Sequence, residues 1–199
     1  MGAMLLKGLY ALIGVTAISG IGIATSYIYQ KPSDTLASHL ESKNLQLISS
    51  LNSDAQWKAE YEIDKEAVKA LIEGVSDNNG GVKLKEWCES ELSKTFKEGD
   101  DLKTITRWCT IGKISQRIPK GKTLLDTKAS NNTEWETIYD KHTSSEERNT
   151  LNLSAVKGDT TKADDLTRIK QFCEENQDKD FLVSKKVNEY DLVVKWCTK

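Results

Sequence analysis

An internal repeat constrains the fold of this chain more than any other feature of its sequence. Arg-Trp-Cys-Thr at 107–110 is matched by Lys-Trp-Cys-Thr at 195–198, and Trp-Cys-Glu at 87–89 is matched by Phe-Cys-Glu at 172–174. Repeats of this kind indicate that one structural unit is used more than once. The sequence therefore predicts two small units of similar architecture in tandem.

Four further pairs of residues extend the repeat over most of the chain. These are Leu47 with Leu125, Trp57 with Trp135, Tyr61 with Tyr139 and Phe96 with Phe181. The offset between matched residues grows from 78 in the first three pairs to 88 at Cys109 and Cys197, and such steps indicate insertions in loops. We place the first unit at 36–112 and the second unit at 113–199.

The spacing of apolar residues predicts that both units are mainly helical. Ser53 and Gln56 fit a capping box, in which the two side chains satisfy otherwise unpaired amide groups at a helix start. The helix that follows is expected to bury one face, formed by Trp57, Tyr61, Asp64, Val68 and Leu71. Gly74 is expected to end this helix, and Asn-Asn-Gly-Gly at 78–81 is expected to form a turn.

Each unit is predicted to contain two short helices that carry an aromatic residue next to a cysteine. In the first unit, Asp100 or Asp101 is expected to cap the second of these helices. Because the aromatic residues lie on apolar stripes, packing in a core is favoured over an exposed site for glycans or protein. The predicted core aromatic residues are Trp57, Trp87, Trp108, Trp135, Phe172 and Trp196.

The four cysteines divide equally between the two units. We predict one disulfide in each unit, Cys88 with Cys109 and Cys173 with Cys197, although four cysteines allow three connectivities. Four reduced and buried cysteines are the alternative. Zinc binding is not favoured, because the sequence has no Cys-x-x-Cys motif.

A long apolar segment precedes both units. Residues 8–29 are 22 residues without a charge, and a helix of this length would be about 33 Å long, enough to cross a hydrocarbon core of about 30 Å. We predict a transmembrane anchor or uncleaved signal at 1–30, followed by a tether at 31–35. The alternative is a signal peptide cleaved near Gly-Ile-Ala at 22–24, but the apolar run continues to Ile28, which favours retention.

The charges on either side of this segment predict its orientation. Lys7 and the α-amino group precede it, and Lys31, Asp34 and Glu41 follow it. This slight asymmetry favours an N-terminus inside the cell and residues 31–199 outside. The expected location is therefore the cell membrane, crossed once, with the lipid bilayer as the partner of the apolar segment.

No group of residues points to catalysis. His39 and His142 have no serine or cysteine partner that the sequence identifies, and we interpret them as surface residues. The acidic pairs at 100–101, 146–147 and 164–165 each open a predicted helix, where carboxylates interact favourably with the helix dipole. The formal charge of −2 indicates no nucleic-acid partner. We assign no catalytic, metal-binding or cofactor-binding residues and expect no cofactor.

The order of these features resembles that of a known group of proteins. The features are the apolar N-terminal segment, Trp57 with Lys58 and Tyr61, Trp-Cys-Glu at 87–89 and Trp-Cys at 108–109. The chain resembles, along essentially its whole length, the large paralogous families of short, membrane-anchored proteins of haemotropic mycoplasmas. This resemblance implies a wall-less bacterium, a surface location and antigenic variation within a paralogous set. It implies no catalytic residues.

Together these observations predict a mainly α-helical protein with an N-terminal transmembrane helix and two tandem helical units, each with one internal disulfide. The expected function is that of a membrane-anchored extracellular repeat protein, either a surface antigen or a host-interaction module without catalytic activity. Its expected partner is a host protein or a second copy of the chain. The alternatives are an exported enzyme subunit that uses carboxylates, and a structural membrane protein that oligomerises through its anchor.

Overall fold

The chain is mainly helical in the computed structural model, which describes residues 34–128 and 132–199. Within these ranges there are eight α-helices and three short 3₁₀ turns. The helices are α1 (Leu36–Ser42), α2 (Asp54–Leu71), α3 (Gly80–Leu92), α4 (Lys103–Cys109), α5 (Thr133–Lys141), α6 (Ser145–Asn149), α7 (Asp159–Asn176) and α8 (Tyr190–Trp196). The 3₁₀ turns are Ile48–Leu51, Ile114–Arg117 and Val183–Lys185.

The predicted anchor at 8–29 and most of the tether lie outside the described residues. In the part of the chain that is described, no helix combines the length and the apolar character needed to cross a membrane. The last residue of the tether, Thr35, caps α1 because its side-chain oxygen accepts a hydrogen bond from Ser38 N at 3.2 Å. The first described helix therefore begins at the end of the predicted tether.

Two groups of buried apolar side chains form the cores of the protein. The first group lies between residues 36 and 109, and the second lies between residues 114 and 197. Residues 33–199 nevertheless form one compact unit, and Ala59 and Ile63 of α2 pack against the second core. The division of the chain into two domains stays a prediction, and α2 is an element that contacts both cores.

Backbone contacts repeat in the two halves with the offsets found in the sequence. In the first half, Phe96 N donates to Asp34 O at 2.7 Å, and in the second half Phe181 N donates to Gly112 O at 2.8 Å. The two donors are 85 residues apart and the two acceptors are 78 residues apart. Trp57 with Trp135 shows the same offset of 78, and Cys88 with Cys173 shows the same offset of 85. The repeat in the sequence is therefore also a repeat of backbone pairing.

Each half contains one buried disulfide, and the pairing is the predicted one. Cys88 is bonded to Cys109 with a Cα–Cα distance of 5.5 Å, and Cys173 is bonded to Cys197 with a Cα–Cα distance of 5.7 Å. Both distances are usual for disulfides, and all four cysteines are fully buried. The first bond joins α3 to the end of α4, and the second joins α7 to the end of α8.

The core aromatic residues differ in their depth of burial. Four of them are buried, namely Trp57, Trp108, Trp135 and Trp196. Trp87 and Phe172 occupy matching positions and are only partly buried, at the edges of the two cores. Trp87 meets Trp108 edge to face with ring centroids 5.6 Å apart, an arrangement that aromatic pairs prefer.

The helix α2 departs from its predicted pattern at Asp64, where the backbone is not helical (φ −115°, ψ 27°). Before this point Trp57 and Tyr61 are buried as predicted. After it, Leu71 exposes 57% of its surface, so its assignment to the buried face is wrong, and Ile72 is buried instead. Val68, which also follows Asp64, is fully buried as predicted, and Ile72 lies four residues after it, so the buried face continues to Ile72 and Leu71 lies beside it.

The turn predicted at 78–81 is shorter than expected, because α3 already begins at Gly80. Gly74 has a φ of +75° just after α2, which glycine adopts without strain. Gly80 lies against Tyr61, and a Cβ at Gly80 would be only 2.2 Å from the tyrosine ring. The absence of a side chain at Gly80 therefore allows α3 to start close to α2.

The extra residues of the second half are not confined to loops, which corrects the prediction from the offsets. The helix α7 has 18 residues, whereas its counterpart α3 has 13 residues. The disulfide cysteines near the ends of these helices match, so the additional residues lengthen the beginning of α7. The added residues are 159–164, none of which is buried, whereas the buried Asp165 and Leu166 match Gly80 and Gly81 at the start of α3.

Removing the second disulfide should destabilise the protein. The double substitution Cys173→Ala/Cys197→Ala opens a loop with a sequence separation of 24, which the chain-entropy relation values at about 3 kcal/mol. Denaturant unfolding of the oxidised protein and of the variant measures the difference. The variant Cys88→Ala/Cys109→Ala should lose a similar free energy of unfolding. An unchanged free energy of unfolding in either variant would show that the disulfide does not stabilise the protein.

Candidate functional site

A buried ion pair joins α2 of the first half to the 3₁₀ turn that opens the second half. Arg117 Nε lies 2.7 Å from Glu60 Oε2, and the two side chains are only 2% and 4% exposed. Arg117 Nη2 also donates to the backbone oxygens of Arg107 at 2.7 Å and Thr110 at 3.0 Å. Burial raises the pKa of Glu60, whereas the adjacent Arg117 opposes this rise. The Arg117 guanidinium thus connects α2, the end of α4 and the 3₁₀ turn at 114–117.

The side chain of Gln56 crosses the junction instead of completing the predicted capping box. The Ser53 side chain does accept a hydrogen bond from Gln56 N at 3.3 Å. However, Gln56 Nε2 donates to Phe181 O at 2.9 Å, and Gln56 Oε1 accepts from Val183 N at 2.7 Å. The prediction of a complete capping box is therefore wrong, because the buried Gln56 side chain forms hydrogen bonds with backbone groups of the second half instead of with the start of α2.

Asp64, the polar residue on the apolar face of α2, binds the end of α4. Its Oδ2 accepts hydrogen bonds from Arg107 Nε at 2.7 Å and from Trp108 Nε1 at 3.0 Å. Burial alone would raise the pKa of Asp64, but the hydrogen bonds from Arg107 and Trp108 outweigh it and hold the pKa below its ordinary value. The same arginine donates to Gln116 O, so this cluster continues into the junction.

A groove of about 460 Å³ lies at the surface of the junction. Its lining residues are Ala55, Lys58, Ala59, Glu62 and Ile63 of α2 and Pro119, Val183, Lys186 and Tyr190 of the second half. Most of this lining is apolar, and only three of the side chains are charged. Apolar concavities of this size with few polar groups are typical of binding sites. We take this groove as the candidate functional site.

The groove is coupled to the buried ion pair through Tyr190. The tyrosine hydroxyl donates to Arg117 O at 2.9 Å, and burial raises the pKa of Tyr190 to about 12. Lys186 Nζ lies 2.5 Å from Asp191 Oδ1 and 5.4 Å from the centroid of the Tyr190 ring. These contacts of Tyr190 and Lys186 hold the groove wall that the second half supplies, and the contact of Tyr190 links this wall to the buried ion pair.

The sequence also carries a signal for the α2 wall of this groove. Ala55, Ala59 and Ile63 recur every four residues and form a second apolar stripe on α2. This stripe is distinct from the predicted buried face, which contains Trp57. The four cysteines and the six core aromatic residues are not among the residues that line the groove.

His142 is buried, which corrects its interpretation as a surface residue. It exposes 8% of its surface, and its ring centroid lies 4.6 Å from that of Trp196. Its Nδ1 is 3.4 Å from Glu147 Oε1. Within the described residues, His142 Nε2 and Trp196 Nε1 are buried without a hydrogen-bond partner. Burial lowers the pKa of His142, while the Glu147 carboxylate opposes this effect.

The acidic pair at 164–165 does not open a helix, which corrects a second interpretation. The helix α7 begins at Asp159, so Asp165 lies within it and is 1% exposed. Arg148 Nη2 donates to Asp165 Oδ2 at 2.5 Å, and Ser154 N donates to Asp165 Oδ1 at 3.0 Å. This carboxylate therefore belongs to a buried ion pair of the second core.

The other two acidic pairs lie near helix starts, but the N-cap of α4 is Leu102 and not the predicted Asp100 or Asp101. Asp101 Oδ1 accepts a hydrogen bond from Lys103 N, the first residue of α4, at 3.0 Å. In the second half, Ser144 caps α6 by accepting a hydrogen bond from Glu147 N at 3.2 Å. Glu147 Oε1 also lies 2.6 Å from Lys195 Nζ, which links α6 to α8.

Among residues 34–128 and 132–199, no three His, Cys, Asp or Glu side chains come close enough together to hold a metal ion. The chain has no match among protein-family models, among curated proteins or among solved structures. The resemblance to the mycoplasma families stays a prediction. The function is therefore argued from the contacts described above.

Removing the carboxylate at position 60 should strongly destabilise the protein. Glu60→Ala leaves the Arg117 charge buried without its partner, and breaking a buried ion pair from one side costs about 3–5 kcal/mol. Denaturant unfolding measures the change. Glu66, which is exposed on the same helix, is the matched control, and Glu66→Ala should change the free energy of unfolding by no more than about 0.5 kcal/mol. Equal effects of the two substitutions would disprove the importance of the ion pair.

The free energy of unfolding should depend on the titration of His142. Its pKa in the folded chain lies below the ordinary 6.5, so the unfolded chain binds more protons between the two values. The stabilisation is thus present above about pH 6.5 and is lost as the pH falls through the folded pKa. Denaturant unfolding across this range measures it. His142→Asn should flatten this part of the pH profile, and an unaltered profile would contradict the assignment.

Proposed function

We propose that this protein is a membrane-anchored extracellular interaction module without catalytic activity, attached by residues 8–29 and with residues 31–199 outside the cell. The observation that carries this proposal is the presence of two buried disulfides, Cys88–Cys109 and Cys173–Cys197. Disulfides persist in oxidising spaces and are rare where thiols are kept reduced. The uncharged N-terminal segment supplies both a route of export and a means of attachment.

The groove at the junction is the proposed contact surface. Its mainly apolar lining suits the burial of side chains from a protein partner, and charged groups such as Lys58 and Glu62 at its edge would set the orientation of that partner. Both halves supply walls, so the groove depends on the tandem arrangement. The role of surface antigen comes from the resemblance to the mycoplasma families and is part of the proposal.

The placement of the buried carboxylates supports binding more than the exported-enzyme alternative. Burial raises the pKa of Glu60, as a catalytic acid would need, but Glu60 is paired with Arg117 and does not line the groove. Asp165 is buried against Arg148. The alternative of oligomerisation through the anchor concerns residues 8–29, which lie outside the described part of the chain.

Protease treatment of intact cells tests the location. Cells that express the full chain with a C-terminal epitope tag should lose the tag when protease is added outside, because residues 31–199 are exposed there. A cytosolic protein of the same cells should stay intact, and both should be digested after the cells are broken. Full protection of the tag in intact cells would contradict the extracellular location.

The mass of the protein extracted from the membrane tests retention of the anchor. A retained anchor gives the mass of the full chain, and the protein should stay in the membrane fraction after a high-salt wash, because a spanning segment is held by the hydrophobic effect. A mass that corresponds to a start just after Ala24 would show a cleaved signal and disprove the anchor.

A further inference from the structure

His142 in the second half matches Asp64 in the first half. The two residues are 78 positions apart, which is also the offset of Trp57 and Trp135. At both positions the helix is interrupted. Asp64 has non-helical backbone angles within α2, and His142 follows the last residue of α5 with a φ of −102° and a ψ of 90°. The repeat thus places a polar side chain at the same helix break in each half.

The tryptophan that meets this polar side chain is also repeated. In the first half, Trp108 Nε1 donates to Asp64 Oδ2 at 3.0 Å. In the second half, the ring of Trp196 lies against that of His142, with centroids 4.6 Å apart. Trp108 and Trp196 are 88 positions apart, as are the cysteines that follow them. The same two positions are therefore in contact in both halves.

The acceptor at this position is permanent in the first half and depends on protonation in the second half. Despite the burial of Asp64, hydrogen bonds from Arg107 and Trp108 keep its pKa below its ordinary value, so it stays a carboxylate. A neutral imidazole has one donor nitrogen and one acceptor nitrogen, and protonation makes both of them donors. Because His142 Nδ1 lies 3.4 Å from Glu147 Oε1, we assign the proton of the neutral ring to Nδ1 and the acceptor to Nε2.

Protonation of His142 would leave a buried donor without an acceptor. In the described part of the chain, His142 Nε2 and Trp196 Nε1 are both buried and have no hydrogen-bond partner. The indole nitrogen is itself only a donor, so it cannot accept a proton from Nε2. A neutral ring therefore suits this contact, and a protonated ring does not.

The charges around His142 compensate an imidazolium only in part. Glu147 of α6 faces the ring, but its Oε1 also lies 2.6 Å from Lys195 Nζ of α8. Arg148 of α6 donates to the backbone oxygen of His142 at 3.3 Å, and its own charge is paired with Asp165 of α7. Two cations and one available carboxylate thus surround the ring.

We propose that His142 is a pH-dependent latch, which holds the break between α5 and α6 against α8 when neutral and releases it when protonated. The protonated ring reaches water by turning away from Trp196, and this movement opens the residues at 142–147. The ion pair of Arg148 and Asp165 holds the far end of α6 and confines the opening to this segment. The first half, which has Asp64 at the matched position, stays closed. The inference does not depend on the proposed function, because it concerns contacts inside the second half.

Amide hydrogen exchange across pH tests the latch. His142 N donates to Ile138 O at 3.3 Å, and Glu147 N donates to Ser144 Oγ at 3.2 Å. NMR of the full chain in detergent micelles measures the protection of these two amides relative to an unstructured peptide at the same pH. Below about pH 6.5 this protection should fall by up to about tenfold per pH unit, which is the slope for one proton, until the folded pKa is passed.

Two variants and one amide of the first half serve as controls. His142→Gln keeps an acceptor oxygen and cannot be protonated, so its protection should not change across this pH range. His39→Gln removes the other histidine of the chain and should leave the pH dependence as it is. The amide of Gln56, which donates to Ser53 Oγ in the first half, should keep its protection.

The indole N–H resonance of Trp196 gives a readout that needs no substitution of His142. Trp196→Phe identifies this resonance by its loss. In the unsubstituted chain it should shift with the same midpoint as the imidazole protons of His142, because the ring leaves the indole on protonation. The indole resonance of Trp108, whose N–H is bonded to Asp64, should stay in place.

Three results would overturn the latch. They are unchanged protection of the His142 and Glu147 amides, an equal fall in protection at Gln56, which would show that the whole chain opens, and a pH dependence that persists in His142→Gln. If His142→Gln does not fold, the Trp196 resonance decides. A resonance that does not follow the titration of His142 contradicts the latch, and one that follows it supports the latch.

Discussion

The buried ion pair between Glu60 and Arg117 is the interaction on which the tandem arrangement depends. Removing two charges from water is costly, and hydrogen bonds from Arg117 to two backbone oxygens and from Gln56 to Glu60 offset part of that cost. Tyr190 donates to Arg117 O and connects the pair to the second core. Units of about 80 residues bury little surface on their own. Polar contacts that hold the two cores in one position therefore matter more here than in a larger domain, and the groove exists because of them.

The two halves differ at two positions that form this junction. The residues 78 positions after Gln56 and Glu60 are Glu134 and Ile138. Glu134 is exposed and pairs with Lys199, whereas Ile138 is buried in the second core. In the first half Gln56 and Glu60 bind the second half through polar groups, whereas in the second half Ile138 packs in its own core and Glu134 stays at the surface. One scaffold is thus used in two ways by changing a few side chains.

The proposed function uses the groove at the junction of the two cores. Both disulfides and the buried aromatic residues lie inside the halves, where they fix the helices. The stripe of Ala55 and Ala59, with Lys58 and Glu62 beside it, lies on the opposite side of α2 from Trp57. The helix α2 packs against both cores and also supplies one wall of the groove, which suits contact with another chain.

The sequence by itself determined the helical class, the repeat and the cysteine pairing. These follow from the spacing of apolar residues and from the order of cysteines within each half, which are local properties. Only the tertiary structure decided the partner of Gln56, whose bond to Phe181 spans 125 residues, and the burial of Asp165 against Arg148. The groove also required it, because its two walls come from opposite halves of the chain. Local patterns specify helices, whereas side chains from distant segments decide which polar groups are buried and where a binding surface forms.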